Sequence, residues 1–189
     1  MRARRVRAHR RHRAARGGAG AERFLRRHAG SAVCLVDASW TIVAWTPAWR
    51  SMCRNASGAD PAGRNVARQV FTGTGSRIRR AAEEEAEFRR LLVDDLRRAV
   101  LRHPRDEALA DLVTGLRTGS EAFDALWSVA SAPGPAGGRV VLDFGTGPIT
   151  IGSDVVGLRD GLCAIVFSAA PGSADADRLA ELIGSHASR

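Results

Sequence analysis

Three thiols, five imidazoles and a few acids beside glycines are the groups in this sequence with obvious chemistry to offer. Cys34, Cys53 and Cys163 stand far apart, with no C-x-x-C spacing and with apolar neighbours. That is the setting of small buried thiols rather than of metal ligands or nucleophiles. His9, His12, His28, His103 and His186 fall in no zinc-ligand spacing. The acid-rich run 83–87 reads as the solvated start of a helix. The stretch FTGTGSR (71–77) holds glycines but not the G-x-G-x-x-G order of a phosphate cradle. No nucleophile, base and orienting acid stand out as a set. The expectation is a protein that is not an enzyme and carries neither metal nor cofactor.

The strongest catalytic pattern is RVVLDFGTG at 139–147, an apolar strand, an acid and then glycines. Such a run opens the cofactor site of S-adenosylmethionine-dependent methyltransferases, where a helix and a further strand with a ribose-binding acid follow. Here Pro148 and the strand-like ITIGSDVV follow instead, and the chain ends 42 residues after Gly147. A β-hairpin with a Gly-Thr-Gly-Pro turn accounts for the residues better.

Charge is distributed unevenly. The net +9 arises in residues 1–28, where eleven arginines face a single acid, Glu22; the remaining residues hold eighteen arginines and nineteen acids. Lysine is absent. Residues 1–20 read as an extended Arg-rich tail. Its Arg4, Arg5, Arg7, Arg10, Arg11 and Arg13 are the candidate contacts to nucleic-acid phosphates, a binding mode without sequence readout. Residues 21–186 read as one folded domain. No apolar run approaches the ~20 residues of a membrane span, and the arginines at the start precede no apolar stretch. A cytoplasmic protein without membrane contact is the expectation.

The elements that would position any site follow from period and punctuation. A short helix is expected at 21–28. Strands follow at 32–36, apolar on both faces, and at 40–45, with the turn at Asp37-Ala38-Ser39. Thr46-Pro47 opens a helix as cap and first residue. Further helices are expected at 65–71, 78–102, 105–117 and 119–128, the last with Thr118 and Glu121 at capping-box spacing. Loops are expected at 55–63 and 130–138. Beyond the second loop the apolar period becomes two. Strands at 139–144 (Val140, Leu142, Phe144 on one face), 149–156 (Ile149, Ile151, Val155) and 162–168 lead to a last helix near Ser173. The order ββ-ααααα-βββ-α is that of an α+β fold: one antiparallel sheet, helices on one face, and 32–36 beside 162–168 at its centre. Trp40, Trp45 and Trp49 fall within ten residues. Strand parity places Trp40 and Trp45 on opposite faces, one toward the helices and one outward.

Residues 32–52, AVCLVDASWTIVAWTPAWRSM, resemble the entry to a PAS-type sensor domain. Together with RHPRDEALADLVTGL, SEAFDALW and FSAAPGSADADRLAELI in that order, they resemble the ligand-binding domain of MmyB-like transcription regulators over about residues 22–184. Thr46 stands where that family prefers Asn. The resemblance implies a PAS-like fold, a ligand-sensing role in transcription regulation and a fatty acid as the type of ligand. Members usually carry a helix-turn-helix DNA-binding domain of the XRE class in front, for which the first 28 residues are too few.

A curved sheet facing amphipathic helices would leave an interior lined by Trp45, Trp49, Met52, Phe71, Leu92, Leu96, Leu142, Ile151, Ile165 and Phe167. Burying about ten methylenes of a ligand there contributes ~8 kcal/mol before ordering costs. Two alternatives use the same residues differently. One is an interaction module with a filled core that forms a homodimer through the outer sheet face. The other is nucleic-acid binding through the tail.

Overall fold

A computed structural model of the chain describes residues 18–53, 63–73, 78–129, 137–143, 147–158 and 161–187. The expected tail with its six candidate phosphate-binding arginines lies outside the described residues. So do most of the expected loops at 55–63 and 130–138, the last four residues of FTGTGSR, and Phe144.

The strands are β1 (Ala32–Val36), β2 (Ile42–Trp45), β3 (Ile78–Arg79), β4 (Gly137–Asp143), β5 (Pro148–Gly157) and β6 (Cys163–Ser168). They form one six-stranded sheet in the order β2-β1-β6-β5-β4-β3, with every neighbouring pair antiparallel. The two early strands and the three late ones therefore share a layer, with β1 beside β6 inside it, as their two-sided apolar character implies. β4 and β5 form the expected hairpin, closing at Asp143 opposite Pro148. A strand thus follows the glycines of RVVLDFGTG where a methyltransferase needs a helix.

Seven helices surround the sheet among the described residues: α1 (Ala19–Arg27), α2 (Pro47–Met52), α3 (Val66–Thr72), α4 (Ala82–Arg102), α5 (Glu107–Gly119), α6 (Glu121–Ser128) and α7 (Ala174–Ala187). Their caps explain their starts. Thr46 Oγ accepts from the Trp49 N–H and Asn65 from the Arg68 N–H; Asp106 and Ser120 do the same for α5 and α6. Ser120, not Thr118, caps α6; the Thr118 hydroxyl donates to the Thr114 carbonyl inside α5. Gly73, in the left-handed region at φ 70°, ends α3.

Four expectations are corrected. Helix α4 begins at Ala82 rather than at 78, because Ile78 and Arg79 pair with Leu142 and Val141 as an edge strand. A two-residue strand is too short to show a period. The element order therefore carries β3 inside the helical insert. Second, helices do not occupy one face alone. Ala21, Phe24 and Leu25 of α1 pack on Val33, Leu35 and Ala164, which point away from the other helices. Third, strand β2 starts at Ile42, and Trp40 lies in the preceding turn with φ 59°. Fourth, Trp40 and Trp45 both join the large inner core. The register passes from Val36–Ile42 to Leu35–Ala44, so Val43 is an extra residue. Such a bulge reverses the parity of everything beyond it.

Candidate functional site

The ten residues named from sequence as ligand-lining converge in one apolar cluster between the sheet's inner face and the helices. Cross-strand register shows how the sheet contributes. Trp45 pairs with Cys34, Cys34 with Ile165, and Ile165 with Val155. This row crosses four strands, a span of ~14 Å at the usual strand spacing. The next row is Ala32, Phe167, Ser153 and Gly138. Its small members leave the sheet thin on both sides of Phe167. Leu92 and Leu96 of α4 are fully buried and Phe71 of α3 is 9% exposed. α2 brings Trp49 and Met52, packing on β1 and α7.

The β1–β2 end is held by a polar framework. Asp37 Oδ1 accepts from the Ser39 N–H, the Ser39 hydroxyl and the Thr41 N–H, which shapes the turn. Asn65 donates to the Ser39 carbonyl at 2.7 Å and to Thr41 Oγ1 at 3.0 Å, while its oxygen caps α3. The Ile42 N–H donates to the Arg64 carbonyl and the Val66 N–H to the Trp40 carbonyl. The start of α3 is thereby stitched to the turn. Thr46 uses its whole hydroxyl: it donates to the Ser31 carbonyl at 2.7 Å and accepts from the Val33 and Trp49 N–H groups at 3.0 and 3.2 Å.

Within this frame the Trp45 and Trp49 rings lie 5.7 Å apart, tilted by 37°. The Arg64 guanidinium lies 5.9 Å from the Trp45 ring centre. Trp49 is 2% exposed. Its Nε1, and the Nε of Arg64, are buried donors with no hydrogen-bond partner among the described residues. A buried donor left unmet costs about 1–3 kcal/mol.

At the other end of the row, Arg80, Glu84, Phe88, Gly137, Gly138, Ser153 and Val155 line a cleft of ≈ 10 Å³, room for about one water. None of the ten expected residues borders it. The Arg80 guanidinium sits 3.8 Å above the Phe88 ring and 3.6 Å from Glu85. Burial pulls this guanidinium below its ordinary value, opposed by the neighbouring Glu85 and Glu84 carboxylates. Burial likewise pushes the Cys34 thiol well above its usual range, with the nearby Cys53 adding to the rise. Cys34 therefore stays protonated at neutral pH and is no nucleophile.

Sequence reasoning did not single out Arg64, Arg80, Trp40, Phe88 or Phe123 for the interior. Trp40 packs edge-on to Phe88 at 5.8 Å, and Phe123 edge-on to Phe71 at 4.9 Å. In the sequence Phe88 recurs with Leu92 and Leu96, and Phe123 with Leu126 and Trp127, at the spacing of one helix face. Nothing in sequence distinguishes Arg64 or Arg80 from the chain's other arginines. Among the described residues no group of three or more His, Cys, Asp or Glu side chains is placed to hold a metal, and no helix is long and apolar enough to cross a membrane.

A split antiparallel sheet whose inner face is closed over by an inserted run of helices defines an α+β domain with an aromatic-rich apolar interior. The model of the MmyB-like transcription regulator ligand binding domain matches residues 18–182, and the chain belongs to that family. No curated protein matches the chain.

Proposed function

We propose that this domain is the PAS-like sensor of a bacterial transcription regulator and binds a small apolar ligand of the fatty-acid type, without catalysing a reaction. The observation that carries the reading is the convergence of the ten expected residues on one continuous interior, in a chain whose family binds ligands for transcription regulators. Trp45, Trp49 and Met52 wall one end, and Leu142, Ile151, Ile165 and Phe167 form the floor. Phe71, Leu92 and Leu96 form the roof. Binding moves roof against floor, because side chains occupy the interior. In the cytoplasm the signal would pass to a helix-turn-helix domain of the XRE class. The arginines at 4, 5, 7, 10, 11 and 13 would add contacts to phosphates.

Native mass spectrometry of the mildly purified chain with added C12–C16 acids tests this. The expected result is a saturable one-to-one adduct. Absence of any saturable adduct at concentrations below micelle formation removes the sensing role.

One observation favours a second reading, an interaction module with a filled core. The described cleft holds about one water, and Val156, 45% exposed, lies on the outer sheet face beyond the cover of α1. Sedimentation that reports a dimer at micromolar concentration, together with no acyl adduct, would establish that reading instead.

A further inference from the structure

We propose that the outward face of α1 is a docking surface for the phosphate backbone of duplex DNA, with Arg23, Arg26 and Arg27 as its contacts. The proposal goes beyond the ligand-sensing reading and does not depend on it.

The residues of α1 and its cap fall into two faces. Ala21, Phe24, Leu25 and His28 recur at i, i+3, i+4 and i+7. The first three pack on Val33, Leu35 and Ala164 of the sheet, and the His28 ring lies 4.5 Å from that of Phe24. Arg23, Arg26 and Arg27 fall at i, i+3 and i+4 on the opposite face, and all three are exposed. The protein itself hardly answers their charge. Glu22, the acid of this helix, lies 3.8 Å from Arg26, with both side chains 70% exposed, and solvent screens such a pair to little. Among the described residues Arg23 and Arg27 have no ion pair, whereas Arg80, Arg89, Arg97, Arg98 and Arg117 each reach a carboxylate. In sequence, eight further arginines stand at positions 2–16 with no acid among them.

Three unanswered cations in a row fit an anion that is itself extended. Arg23 and Arg27 stand about 6 Å apart along the helix axis, and each strand of a duplex carries a phosphate about every 3.4 Å of its axis. The three guanidiniums therefore match consecutive phosphates, each offering a fork of donors to a pair of phosphate oxygens. A small free anion would engage only one of them. An anionic membrane fits less well. A basic helix holds to a bilayer by burying its apolar face there, and Phe24 and Leu25 are already packed on the sheet. The chain's family serves transcription regulators, which work on DNA. Contacts of this kind position a protein on the duplex without reading its sequence.

Fluorescence anisotropy of the full chain with a labelled duplex of about 20 base pairs, repeated across salt concentrations, tests the assignment. One variant combines Arg23→Gln, Arg26→Gln and Arg27→Gln. A control removes the same charge elsewhere, at the exposed Arg105, Arg117 and Arg178. Circular dichroism verifies that both are folded. Each phosphate contact adds about 0.9 to the slope of log K against log salt. The α1 variant is therefore expected to flatten that slope by about 2–3, and the control to leave it unchanged. Arg27→Gln alone is expected to flatten it by about 1, which decides the matter if the triple variant fails to fold. An unchanged slope in the α1 variants, an equal fall in the control, or no binding by the wild type overturns the assignment and leaves ligand sensing intact. Tighter binding to phosphatidylglycerol vesicles than to the duplex also overturns it and gives the face to a membrane surface.

Discussion

A single hydroxyl fixes the junction between strand and helix where the tryptophans gather. Thr46 donates to the Ser31 carbonyl and accepts from Val33 and Trp49, and it is 1% exposed. Alanine there leaves two N–H groups and one carbonyl without their partner. Thr46→Ala is expected to lower the unfolding free energy by about 2–3 kcal/mol, whereas Thr46→Ser keeps the hydroxyl and most of the stability. Urea denaturation of the two variants checks this, and equal losses would show that the methyl group matters more than the hydrogen bonds. The same few residues show why parity misplaced an indole. Trp40 adopts φ 59°, a conformation that bulky residues seldom take. Its backbone is held there by the Asp37 carbonyl, 2.8 Å from its N–H, and by the Val66 N–H on its own carbonyl. The first contact belongs to the expected turn at Asp37, but the second has no local signature, since Val66 is distant from Trp40 in the chain.

Helices α4 and α6 are joined at the level of whole elements by one arginine. Arg97 of α4 donates to the Leu126, Trp127 and Val129 carbonyls at 2.6, 2.5 and 2.6 Å, and it lies 5.6 Å from the Trp127 ring. It thus satisfies the open carbonyls at the end of α6 and sets a positive charge at the negative pole of that helix. Its own partner Asp94 is 7% exposed in the side chain. Arg97→Met is expected to cost about 1.5–3 kcal/mol and to raise hydrogen exchange in α6 well above that in α5. Exchange by mass spectrometry reads the difference; uniform exchange across the two helices would mean that Arg97 is not what holds the end of α6. From sequence, helices are expected on one face only, yet α1 on the other face has a physical reason that can be given after the fact. Strands β1 and β6 are apolar on both faces, which demands a cover on each side, and α1 is the cover of the outer face. Period alone, by contrast, gives no reason for a polar side chain to reach from one helix to the end of another.

The molecule as a whole depends on closing a sheet from the two ends of the chain. β6 lies between β1 and β5, with Val33 opposite Val166 on one side and Ser153 opposite Phe167 on the other. Without β6 the early hairpin and the late one have no common strand, and an isolated hairpin is marginal in water. A chain shortened to residues 1–158 is therefore expected to show no cooperative thermal transition by circular dichroism, although it keeps six of the seven described helices. A sharp transition in that fragment would mean that the helices fold on their own and that the sheet follows them.

The sequence by itself determined the order of most elements, the helix start at Thr46-Pro47, the inward sides of β4 and β5, and the set of apolar residues that meet inside. These follow from local chemistry and from the periods of two and 3.6, which any short window of residues displays. Tertiary structure alone decided that Val43 bulges and carries both tryptophans inward, that Ile78 and Arg79 extend the sheet, and that α1 lies behind it. It also decided which two arginines out of 29 stand at the ends of the interior, Arg64 beside Trp45 and Arg80 over Phe88. Each of those outcomes depends on a contact between residues distant in the chain, and the free energy of such a contact is set by what folding brings beside a residue, not by its neighbours in sequence.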